Sequence, residues 1–153
     1  VTLVVSDTSP LVALQQIDEL KILHSLFGEV VIPPAVEREL GPGFPRPPWL
    51  ITRPLAMRAP PLQPTLGAGE SEAITLASQD GAQLLLLDDR PARRLAPSLG
   101  IPVLGTLGLL IRAKEQGLLA AVKPYIETLL RGGFRASPAL VERILAQAGE
   151  GEP

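Results

Sequence analysis

The sequence predicts an α/β fold of three layers, α/β/α, with helices on both faces of a central parallel sheet of about four strands. Short apolar runs alternate with helical stretches along the chain, and that order implies parallel strands joined by crossover helices. One run, Leu84-Leu85-Leu86-Leu87, shows no alternation of polarity, which marks a strand buried on both faces. Acids recur where strands end or helices follow them: Asp7, Glu39, Glu70, Asp88 and Asp89. Open α/β sheets bind ligands at the carboxyl ends of their strands.

Each element has a local cause. Val1 to Asp7 reads as a buried strand. Ser9-Pro10 opens a helix, with Ser as N-cap and Pro at the first helical position. Asp18 caps a second helix, Glu19 to Phe27, which Gly28 stops. Val30 to Pro33 is the next strand. Pro34 opens a helix through Leu40, and Gly41 ends it. Residues 42–66 form a proline-rich surface loop with a short edge strand at Leu50-Ile51-Thr52-Arg53. Gly69 to Gln79 is a helix with Ala73, Ile74 and Ala77 inward. Leu84 to Asp88 is a central strand, Pro91 to Leu99 a helix, Ile101 to Leu104 a strand and Thr106 to Glu115 a helix. Two C-terminal helices, Leu118 to Leu130 and Pro138 to Ala148, flank Gly132-Gly133-Phe134. The expected organisation is one domain over 1–148 and a frayed tail at 149–153.

Composition removes several function classes. The 153 residues are 46% hydrophobic, enough for one domain with a real core. A net charge of −2 gives no global attraction to nucleic acid, so any such binding needs a local basic patch. The chain has no cysteine, which excludes disulfides, thiolate zinc sites and Cys nucleophiles. A single histidine, His24, cannot build an imidazole metal site. No apolar run approaches the roughly 20 residues of a membrane span. A soluble cytoplasmic protein is expected.

Clustered carboxylates cannot all stay ionised without a positive partner. Lacking His and Cys, they suit a hard, oxygen-seeking ion, Mg²⁺ or Mn²⁺. Plainer readings stand beside this one. Asp7 can cap the helix that follows it. Glu39 can be a solvated helical charge like Glu37. Glu70 and Glu72 lie in a first helical turn, where acids favour the dipole. Asp89 can cap the next helix. Arg90, Arg93 and Arg94 are the basic cluster beside the acids, fit for bidentate phosphate contact or for balancing the acids as ion pairs. Arg46, Arg53 and Arg58 lie in the proline-rich loop, where they could extend a groove. With 3% aromatic residues, base stacking on protein rings is not expected to dominate.

Four segments together resemble the motifs of PIN-domain proteins. They are Ser6-Asp7-Thr8-Ser9-Pro10-Leu11, Val36-Glu37-Arg38-Glu39-Leu40, Gly69-Glu70-Ser71-Glu72-Ala73-Ile74 and Leu86-Leu87-Asp88-Asp89-Arg90. Glu70 lies eighteen residues before Asp88 and Gly81 seven before it, intervals similar to those of many toxin-type members. With Phe27-Gly28-Glu29-Val30, Ile32-Pro33-Pro34 and Gly105-Thr106-Leu107-Gly108, the chain resembles a prokaryotic subgroup related to VapC-type toxin ribonucleases. One departure is Glu70, where toxin-type members often carry Asp.

The resemblance implies divalent-metal-dependent endoribonuclease activity. Asp7 and Asp88 would be direct ligands of Mg²⁺ or Mn²⁺, Glu39 and Glu70 would complete the shell directly or through water, and Asp89 would join the metal-binding set. Thr8 would orient Asp7 or a phosphate, and Arg90, Arg93 and Arg94 would hold the RNA backbone. The implied partners are RNA, a small antitoxin protein and a second copy of the chain. Two other acid-bearing folds fail on order. A receiver domain puts its acidic doublet after strand one, and a haloacid-dehalogenase-type phosphatase needs Asp at residue nine, which is Ser. The remaining alternative is a PIN-fold module, weak or inactive in catalysis, that binds nucleic acid or a partner protein.

Overall fold

The computed structural model describes residues 2–57, 66–88 and 100–151. Twelve elements follow in order among them: β1 (Val4–Ser6), α1 (Thr8–Gln16), α2 (Ile22–Phe27), β2 (Val30–Ile32), α3 (Pro34–Leu40), β3 (Leu50–Thr52), α4 (Ala68–Asp80), β4 (Leu84–Leu86), β5 (Val103–Leu104), α5 (Thr106–Glu115), α6 (Lys123–Arg131) and α7 (Pro138–Gln147). The expected helix Pro91 to Leu99 lies outside the described residues, as does Arg58.

The strands form one parallel sheet in the order β3-β2-β1-β4-β5. It has five strands where about four were expected. The addition is the edge segment in the proline-rich loop, where Leu50, Ile51 and Thr52 pair with Val30, Val31 and Ile32. Alternate side chains of a strand go to opposite faces. Val4, Val30, Ile32, Leu84 and Leu86 join one core with α1, α2, α5 and α6. Val5, Val31, Leu85 and Leu87 join the other, against Ala73, Ile74 and Ala77 of α4. Both faces are therefore covered, and the four consecutive leucines are all buried. Each such leucine contributes about 1.5–3 kcal/mol by leaving water.

Two caps differ from expectation. Helix α1 begins at Thr8, so Asp7 and not Ser9 holds the N-cap position, and the Asp7 side chain makes no capping hydrogen bond. Asp18 does not open α2. It takes a left-handed conformation at φ 56° and its N–H bonds Gln15 O, closing the end of α1. Asp tolerates that conformation better than most residues. Helix α6 starts later than expected, after Val122.

Several side chains read as loose are structural. Arg46 donates to the carbonyls of Glu37, Gly41 and Phe44 and so closes the end of α3. Arg53 pairs with Asp80 at 3.0 Å. Glu37 accepts the Thr52 hydroxyl, tying α3 to β3. Glu150, expected in a frayed tail, accepts from Lys114 Nζ at 2.9 Å and from the N–H groups of Val122 and Lys123 at 2.8 and 3.0 Å.

Candidate active site

The sheet order reverses direction at β1, between β2 and β4, which makes a switch point beside the carboxyl ends of β1 and β4. Pairing of Ser6 with Leu86 sets the register there. Asp7 N–H then bonds Leu86 O at 2.9 Å, and Asp7 and Asp88 emerge from neighbouring strands.

Asp7 is only 2% exposed, and its Oδ1 is buried with no hydrogen-bond partner. Burial pushes its carboxyl up from 3.8 to about 7. The adjacent Thr8 N–H opposes that rise, while Glu70, Glu39 and Asp88 add to it by repulsion. Four of the five sequence-predicted acids thus act on one another across one site. Asp89, with Arg90, Arg93 and Arg94, lies outside the described residues.

The other three acids are held by short local contacts. Asp88 accepts from Thr106 N–H at 2.8 Å through Oδ1 and from the Thr106 hydroxyl at 2.6 Å through Oδ2. It therefore sits at the N-terminus of α5, where the helix dipole favours an anion. Glu39 accepts from the Thr8 hydroxyl at 2.6 Å and from Gly69 N–H at 2.9 Å. The Thr8 hydroxyl thus orients Glu39, while its backbone N–H serves the Asp7 carboxyl. Glu70 lies in the first turn of α4 and reaches back to Gly67 N–H at 3.4 Å.

Glu72 turns away from this group. It accepts from Ala35 N–H at 2.9 Å and approaches Arg38, so it caps α3 rather than meeting water. The phase of α4 separates it from Glu70, but the flank it occupies is filled by α3.

Gly69 escaped the sequence reading. A Cβ there would come within 2.8 Å of Glu39 Cδ. The carboxylate ends a flexible arm and can move aside, at the cost of its hydrogen bonds to Thr8 and Gly69. Gly69→Ala is therefore expected to lower the melting temperature only modestly. Mn²⁺ affinity should nonetheless fall several-fold as Glu39 is displaced, a result calorimetry checks.

An open cleft of about 1050 Å³ is lined by Thr8, Glu70 and Asp88 and by the turn between α6 and α7. From that turn come Phe134, Arg135, Ala136 and Ser137. These too were missed. The only local signal was Gly132-Gly133 before an aromatic and a cation, which does not reveal the cleft the turn faces.

The donor set is all oxygen, with one buried carboxylate oxygen unpartnered. That fits Mg²⁺ or Mn²⁺. Among the described residues no group of three or more His, Cys, Asp or Glu side chains is arranged to ligate one ion directly. A hard ion of this kind uses one or two protein carboxylates and keeps several waters, so a smaller direct set suffices.

Residues 3–150 match the DUF3368 family model, a PIN domain. A solved PilT N-terminus domain protein, SSO1118 from the hyperthermophilic archaeon Sulfolobus solfataricus P2, shares the fold at a TM-score of 0.55 and 23% identity, over 73% of this chain and 93% of that one. No curated protein matches the chain. PIN domains have a nuclease-type fold, generally bind nucleic acid and typically use divalent metals. With the family model covering nearly its whole length, the chain belongs to the PIN-domain family.

Proposed function

We propose that this protein is a divalent-metal-dependent endoribonuclease of the PIN-domain toxin type, and that it hydrolyses RNA phosphodiesters at Asp7, Glu39, Glu70 and Asp88. The observation that supports it most is Asp7, a buried carboxylate with an unpartnered oxygen, repelled by Glu70, Glu39 and Asp88. Asp7 and Asp88 would hold Mg²⁺ or Mn²⁺, with Glu39 and Glu70 acting through water. A bound ion supplies a more acidic water and offsets charge on the phosphoryl oxygens. Thr8 and Gly69 fix the direction of Glu39, and Thr106 fixes Asp88. Burial raises the Asp7 carboxyl to about 7, and a bound cation would favour its ionised form. Asp89 and the cluster Arg90, Arg93 and Arg94 belong to the proposal as neighbouring acid and phosphate contacts.

One observation favours a second reading, a weak or inactive module that binds nucleic acid or a partner. Glu39 and Asp88 already satisfy protein donors through both oxygens. Glu70 and Glu72 separate the two. Glu70→Gln is expected to weaken Mn²⁺ binding and RNA cleavage at least tenfold, about 1.4 kcal/mol. Glu72→Gln should change both by less than threefold while lowering the melting temperature, because it holds Ala35. Calorimetric titration with a cleavage assay checks this. The reverse ranking would sink the four-acid site.

The proposal extends to assembly. A single domain over 1–148 would act in the cytoplasm, restrained by a small antitoxin, and would pair through its C-terminal helices. Leu118 and Leu130 lie just before and within α6 and are 41% and 38% exposed. Sedimentation at about 100 μM should show a dimer, and a strict monomer there would remove this part. Among the described residues no helix is long and apolar enough to cross a membrane.

A further inference from the structure

We infer that the turn between α6 and α7 is a subsite for one unpaired nucleotide, with Phe134 beneath the base and Arg135 on a phosphate. This rests on the nuclease reading above and adds the part of the substrate that lies beside the scissile bond.

One cleft is shared: Glu70 and Asp88 line it, and so do Phe134 and Arg135. Among the described residues Phe134 is the aromatic ring and Arg135 the cation along its walls. Arg135 is exposed and makes no hydrogen bond or ion pair among the described residues. A cation with no partner among the described residues, in a cleft also lined by carboxylates, is placed for an anion brought by the ligand. A guanidinium meets phosphate through two parallel hydrogen bonds.

The turn is also pre-shaped. Phe134 N–H bonds Leu129 O at 2.9 Å, and Gly133 takes φ +99°, which side chains rarely adopt. A Cβ at Gly132 would collide with the Gln16 amide, so α1 packs against the turn's backbone. Ser137 Oγ accepts from Leu140 N–H at 3.1 Å and fixes the start of α7. Phe134 is half-buried, packed in part against the core and in part along the cleft. Its position therefore does not depend on the ligand.

Val12, Leu104, Leu107 and Leu140 continue the apolar wall. In a duplex the base faces are stacked inside, leaving an aromatic wall with nothing to meet. A splayed single strand offers its base faces to a ring and its phosphates to a cation. The cleft is about the size of a large small-molecule pocket, room for a nucleotide or two and too little for a duplex.

The test uses Mn²⁺-dependent cleavage of a labelled random-sequence RNA of about 20 nucleotides, single-stranded or annealed to its complement. Phe134→Ala should raise the KM for the single strand about tenfold and leave kcat within about threefold. Phe134→Trp should restore KM, which a purely structural role would not predict. Arg135→Ala should raise KM and make its dependence on log salt shallower by about 0.7. The annealed RNA should be the poorer substrate. Thermal melts separate unfolding from lost binding, and Arg135→Ala, at an exposed position, keeps the fold. If the parent cleaves and both alanine variants match its KM, the subsite is overturned and the apolar wall belongs to a protein segment. If the parent neither binds nor cleaves RNA, the subsite and the nuclease reading fall together.

Discussion

Asp7→Asn and Asp88→Asn are each expected to lower Mn²⁺- or Mg²⁺-dependent RNA cleavage at least about a hundredfold, a barrier increase of about 2.7 kcal/mol. No His or Cys is present to replace a lost ligand charge. The two changes should move metal-free stability in opposite directions. Asp7 is a buried, repelled carboxylate with an unpartnered oxygen, so neutralising it relieves the fold. Asp88 anchors Thr106 through two hydrogen bonds at the start of α5, so losing its charge should cost about 1–2 kcal/mol. A shared loss of cleavage with opposite shifts in melting temperature cannot be attributed to unfolding. Cleavage within about threefold of the parent in both variants would end the metal-site reading.

The second large effect is on pH dependence. The Asp7 carboxyl rises from 3.8 to about 7 in the folded protein. Below pH 4 it is protonated folded or unfolded, and it costs nothing. Between about 4 and 7 the folded state holds a proton that the unfolded state has lost, so metal-free stability falls as pH rises. Above about 7 the loss is complete and reaches at most about 4 kcal/mol. Asp7→Asn removes this term but buries an amide, so its net gain at pH 8 should be about 1–3 kcal/mol, several degrees in melting temperature. At pH 4 the gain should be gone, leaving only the cost of the buried amide. Saturating Mn²⁺ at pH 8 should reverse the order, because only the parent is stabilised by binding. Thermal melts at the two pH values, with and without Mn²⁺, check the sign. An advantage that is equal at pH 4 and pH 8 would show that Asp7 is not the titrating group.

Periodicity and punctuation made most of the fold legible. The run at Leu84 announced a strand covered on both faces, and the helix read from Thr106 to Glu115 has those bounds. The acids were legible for the same reason, since strand ends converge once the sheet is parallel. The rest depended on contacts between distant segments. Nothing local shows that Leu50 to Thr52 pairs with β2, or that Glu72 meets the start of α3. Asp18 has the chemistry of a cap and of a left-handed turn, and tertiary packing chose the turn. Nothing local shows that the Thr8 hydroxyl meets Glu39, 31 residues away. Gly69 looked like helix-start punctuation, and its missing side chain instead makes room for that same Glu39. Phe134 and Arg135 gave no local sign of sharing a cleft with Asp88.

The most direct measurement is cleavage of a labelled RNA by the purified protein with Mn²⁺, after EDTA, and after Mn²⁺ is restored. A carboxylate-held ion predicts cleavage, its loss and its return, with Asp7→Asn inactive under all three conditions. Cleavage that survives EDTA, or RNA binding with no cleavage at saturating Mn²⁺, would contradict a metal-dependent nuclease.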